Sequence, residues 1–138
     1  MNRINERELE GFLIEKMRKI CDETRDVNPK FNLTYIQSKG FDSKIVEGYQ
    51  RRQYIFSKSN DPNSVICYYG EDTEIWIIID GISLCWSWTV GMLYRFMDEY
   101  DEIVTEFHKL KSDLEKQECD LEKQEKINQI AKTASKHG

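Results

Sequence analysis

An α+β fold is predicted by three observations: apolar residues at helical spacing near both ends of the chain, short alternating runs in the middle, and turn-forming residues between those runs. The expected order is an N-terminal helix, a four- or five-stranded antiparallel meander sheet, and a long C-terminal helix with a projecting, coiled-coil-like end. At 138 residues the chain suits one domain. The expected divisions are 1–112 for the α+β domain, 113–130 for a charged helical extension and 131–138 for an unstructured tail.

Leu9, Phe12, Leu13, Met17 and Ile20 step by three and four, so they share one face of the first helix. Asn5 with Glu8 has the form of a capping box, in which each side chain satisfies a free backbone N–H at the helix start. Asn28-Pro29 bounds this helix, because proline disfavours helical backbone in the residue before it. From Phe31 the period changes to two, and Phe31, Leu33 and Tyr35 are expected to form a strand. Further strands are placed at 45–57, 64–69, 74–80 and 82–88, with turn residues between them. Asp80-Gly81 is the sharpest turn signal, since a two-residue type I′ hairpin needs positive φ at both positions. Residues 74–80 are apolar on both faces, which predicts an interior strand covered from two sides. In the next strand Ile82, Leu84, Trp86 and Trp88 share a face that needs a helix or a second subunit against it. Thr89 or Ser87 then caps one long helix carrying Leu93, Phe96, Tyr100, Val104 and Phe107 on a single stripe.

LEKQE occurs twice in that helix, at 114–118 and 121–125. With Leu114 and Leu121 at a positions, the d positions hold Gln117 and Gln124, which bury little. Parallel self-pairing sets Asp113 against Glu118 and Asp120 against Glu125, and the acidic e and g columns make an antiparallel pair no better. The repeat specifies a solvated helix more clearly than a homodimer.

Charge sharpens that reading. The chain carries a net charge of −5, yet residues 98–125 alone hold eleven acids and four lysines. Such a field repels phosphate backbones and favours basic protein surfaces. Candidate partner-binding residues are therefore Asp98, Glu99, Asp101 and Glu102 near the domain, and Leu114, Glu118, Leu121 and Glu125 beyond it.

Catalytic motifs are scarce. The four cysteines form no C-x-x-C pair and read as buried or idle thiols. Neither His108 nor His137 sits beside a nucleophile motif, and Gly70, Gly81 and Gly91 make no phosphate loop. Glu71 and Asp72 fall in an expected turn and Asp80 in the tight hairpin, where acids are ordinary, so with Glu74 they are not read as a metal site, and no metal and no cofactor are expected. No run approaches the ~18 apolar residues of a membrane helix, and no signal segment precedes the first helix, so a cytoplasmic protein is expected.

The leading expectation is a non-enzymatic protein-interaction module, a small adaptor or inhibitor, presenting an acidic helix to a basic protein surface that itself binds nucleic acid. The first alternative is a nucleic-acid-binding or metal-dependent nucleic-acid-processing protein using Tyr49, Arg51, Arg52 and Tyr54, with Glu74 and Asp80. The acidic helix opposes it. The second alternative is an obligate homodimer, joined through the Trp86/Trp88 face of the sheet or through the C-terminal helix.

Overall fold

The computed structural model describes residues 3–48, 51–69 and 74–137, with side chains as far as Asn128. Helix α1 spans Arg3–Glu23 and buries Leu9, Leu13, Met17 and Ile20. Its start differs from the expected capping box. Asn5 lies inside the helix, buried, and its Nδ2 donates to Glu118 Oε2 at 3.1 Å. Packing against the C-terminal helix has overridden the local capping signal.

Helix α2, Leu33–Ser38, occupies the stretch expected to be a strand. The cause is Asn32, whose side chain accepts the backbone N–H of Tyr35 at 3.1 Å and so caps a helix start. Three alternating residues are too few to outweigh that cap, and it is Ile36 that turns into the core.

Five strands follow: β1 Asp42–Glu47, β2 Arg52–Lys58, β3 Asp61–Tyr69, β4 Glu74–Ile79 and β5 Ile82–Ser87. They pair antiparallel in the order β1-β2-β3-β4-β5, the expected meander. The single strand expected over 45–57 is a hairpin instead. Gly48 N–H donates to Arg51 O at 3.1 Å, and Glu47 pairs with Arg52 across the turn. At the β4–β5 turn Asp80 has φ +48° and Gly81 φ +83°, the two positive values that a type I′ connection demands.

Alternation gives the sheet two unlike faces. Inner residues Phe56, Ile66, Ile75, Ile77, Ile79 and Ile82 are buried. Burial of such large side chains contributes about 1.5–3 kcal/mol each. The expectation that β4 is covered on both sides is not met: Ile75, Ile77 and Ile79 are buried, whereas Trp76 on the other face is 37% exposed. Its apolar run reflects interior pairing between β3 and β5 rather than a second covering layer.

Thr89 Oγ1 accepts from Met92 N at 3.3 Å and caps α3, Val90–Asp98. A break at Glu99 separates it from α4, Tyr100–His137, so the one long helix expected is two. Tyr100, Ile103, Val104 and Phe107 continue the core along α4. Helix α1 packs against β5, α3 and α4. Trp88 is buried edge-on to Phe96, with ring centroids 5.5 Å apart. The Ile82/Leu84/Trp86/Trp88 face is thus covered within the chain, which corrects the expectation that a second subunit meets it there. Helix α4 continues to His137, through most of the stretch expected to be unstructured.

Candidate protein-docking surfaces

The repeated LEKQE is split by the fold. Leu114 is 8% exposed and closes the end of the core, and Glu118 in the same copy accepts from Asn5. Leu121 is 67% exposed, and every residue of 119–128 is solvent-exposed. Glu125 falls in that free segment. Asn5, near the start of α1, meets α4 at Glu118, one turn beyond Leu114, and the residues of α4 from there to Asn128 are exposed.

The acids nearer the domain are largely matched by the chain's own cations. Asp98 pairs with Lys39, Asp101 with Lys58 at 3.1 Å, and Glu106 with Lys16 at 3.0 Å. Glu99 lies 3.8 Å from Arg95, which also holds Glu23 at 3.0 Å. Glu102 is exposed on the first turn of α4. Exposed pairs of this kind contribute only about 0–1 kcal/mol each, but they reduce the field that a partner would meet.

The arginine–tyrosine alternative is dispersed. Arg51 pairs with Glu74 at 3.0 Å and stacks 4.1 Å above the Tyr69 ring on the outer side of the sheet. Arg52 pairs with Glu47 at 2.8 Å, and hydrogen bonds to Tyr54 and Glu47 raise its already high pKa. Tyr54 packs among Phe31, Phe56 and Tyr68. Tyr49 lies outside the described residues, as do Glu71 and Asp72.

Nor do Glu74 and Asp80 form one site, since they stand at opposite ends of β4. Asp80 Oδ2 lies 2.8 Å from His108 Nε2 and 3.5 Å from Lys111 Nζ, close to the β4–β5 turn. Glu74 is held below the usual carboxylate range, first by the Trp76 indole N–H at 2.7 Å, then by Arg51 and Cys85. Partial burial and that same carboxylate push the Cys85 thiol up, so it is a poor nucleophile. Among the described residues no group of three His, Cys, Asp or Glu side chains is placed to hold a metal.

Two features were not readable from the sequence. One is a cleft of about 510 Å³ where the 24–32 loop meets α2 and α3, lined by Thr24, Val27, Asn32, Tyr35, Tyr94 and Arg95 among others. Its polar groups are engaged: Tyr94 Oη accepts from Asn32 N at 2.7 Å and donates to Lys30 O at 3.1 Å, while Glu23 and Asp98 have their cations. The other is the outer face of the sheet, where Val46, Ile55, Val65, Cys67, Trp76 and Ile78 adjoin across neighbouring strands with no helix of the described residues over them. Val46 is 38% exposed. Ile55, Val65 and Ile78 are half-buried and Cys67 is buried, so the exposed apolar surface of this face is carried mainly by Trp76 and Val46.

The geometry defines a two-layer α+β protein, an antiparallel sheet with helices on one face. No protein-family model, characterised protein or solved structure matches the chain. Among the described residues no helix is long and apolar enough to cross a membrane.

Proposed function

We propose that the protein is a non-enzymatic interaction module whose acid-rich, free length of α4 docks on a basic protein surface. The observation that supports this most directly is the exposure of every residue over 119–128 in a helix that continues unbroken from the core. Six acids and three lysines occupy 113–128, so the projecting segment is net negative after the domain's own pairing is discounted. A helix that is polar all round gains little stability from its own propensity in water and is stabilised when a partner covers it. Opposite charge accelerates encounter, and the exposed Leu121 supplies an apolar contact once docked. An adaptor or an inhibitor that occupies another protein's basic groove fits this surface.

The test compares the full chain with the triple variant Asp120→Lys, Glu122→Lys, Glu125→Lys as bait in extract of the native cell. The expected result is a basic protein that is captured by the full chain, released by salt and missed by the variant. Equal capture by both baits would sink the proposal.

A further inference from the structure

We propose that the outer sheet face packs on the same face of a second copy, forming a reversible homodimer that presents two acidic helices. The register defines that face. Lys44, Ile55, Cys67, Trp76 and Cys85 lie side by side in one row, and Val46, Gln53, Tyr69, Glu74 and Ser87 in the next. Ile78 pairs with Val65 and Ser83 on the other side of Trp76. Large apolar groups thus occupy the centre, on β2, β3 and β4. The outward residues of β5 are small: Ser83, Cys85 and Ser87.

Charge and shape select a second copy as the occupant. Asp42 and Lys44 on β1 offset each other, and Glu74 is matched by Arg51, so the described residues of the face carry no net charge to attract a strongly basic or acidic partner. A two-fold axis along β3 sets β1 over the partner's β5 and β2 over the partner's β4. Lys44 and Asp42 then meet the small serines and cysteine of β5, and Ile55 meets the copy's Trp76. Like charges stay apart, and the long charged side chain of Lys44 faces a small residue while the apolar Ile55 and Trp76 meet. The other in-plane two-fold, across the strands, stacks β1 on β1 and places Lys44 beside its own copy, which costs repulsion. Stacked open sheets form a sandwich whose core is the two covered faces.

The face's extent sets the strength of this contact. Five strands about 4.8 Å apart and roughly five residues of about 3.3 Å each give a patch near 20 Å by 17 Å. Two such faces bury roughly 700 Å² in all, below the ~1,200–2,000 Å² of standard specific interfaces, so the dimer is weak and dissociates on dilution rather than being obligate. It is independent of the acidic helix: the helix can dock whether or not the sheets pair, and pairing raises avidity by presenting two helices.

Sedimentation equilibrium or light scattering across a concentration series of the full chain tests this. The expected result is a mass that rises from one chain to two. Ile55→Glu and Trp76→Lys, each folded by circular dichroism, should each be monomeric throughout. An equimolar mixture of the two should regain the dimer. The carboxylate introduced at position 55 of one chain then faces the ammonium introduced at position 76 of the other, while the native Ile–Trp contact persists on the second side. The triple variant of α4 should dimerise like the native chain, so loss of partner capture and loss of dimer are read separately. A native chain monomeric throughout overturns the proposal. So does a folded variant that still dimerises, or a mixture that stays monomeric. Should a charged variant fail to fold, Trp76→Thr must weaken dimerisation at least tenfold, and an unchanged dissociation constant overturns the inference.

Discussion

Leu114→Ala and Leu121→Ala are the same substitution in two copies of one five-residue word, and the fold assigns them different costs. Leu114 retains 8% of its surface and sits where α1 and α4 close the core; Leu121 retains 67%. Truncating a buried leucine costs about 2–5 kcal/mol, and a site at the end of a core, free to relax, belongs near about 2 kcal/mol. Removing a side chain already two-thirds in water falls within about 0.5 kcal/mol, partly offset because alanine is the better helix former. At roughly 3 °C per kcal/mol for a chain of this size, Leu114→Ala should lower Tm by about 6 °C and Leu121→Ala by less than about 2 °C. Urea unfolding of both variants beside the native chain, at one protein concentration, gives the free energies directly. Equal destabilisation by the two substitutions would refute the reasoning, for it would mean that the second copy is packed as well as the first.

Gly91→Ala should destabilise by about 1–3 kcal/mol, since its Cβ would overlap the Val27 carbonyl oxygen; calorimetry reads the loss, and native stability would show that the 24–32 loop yields freely. Gly81→Ala should cost about 1 kcal/mol in urea because φ is +83° at that turn, with no crowding to add to it. Burial pushes the Tyr100 phenol up to about 12, above the ordinary value near 10, so the folded state holds its proton more tightly than the unfolded one. The associated stability is complete below pH ~10 and is lost as pH rises through about 12, by up to about 2–3 kcal/mol. Tyr100→Phe should therefore flatten the alkaline limb of a denaturation profile followed by circular dichroism, and an unchanged limb would assign alkaline unfolding to other groups.

The helix–sheet–helix order was legible because each segment's apolar period persists long enough to outvote local exceptions, as in α1 with Leu9, Leu13, Met17 and Ile20. Where the period covers only a few residues, a single hydrogen bond decides. Asn32 made a helix of a stretch with strand-like alternation, and the turn at Gly48 divided one expected strand into two. The apolar run Ile75–Ile79 carries the same letters whether one face is covered or two, so one-sided coverage depended on helix placement that no local pattern encodes. The docking residues show the same limit. Net acidity was countable, but the pairing of Asp98 and Asp101 with Lys39 and Lys58 joins positions far apart in sequence. The outer sheet face and the cleft likewise arise from the register and packing of separate segments.

The length of α4 also governs how the molecule moves through water. At 1.5 Å per residue its 38 residues reach about 57 Å, of which the stretch past Glu118, about 28 Å, projects beyond a domain whose radius of gyration is near 13 Å for about 100 residues. Drag is therefore set by the protruding rod more than by mass. The monomer should tumble anisotropically and elute from a sizing column ahead of globular standards of 16.5 kDa, at the position of a larger particle. A single chain will look larger than its mass wherever size is inferred from diffusion, and only a method that weighs the particle separates extension from association.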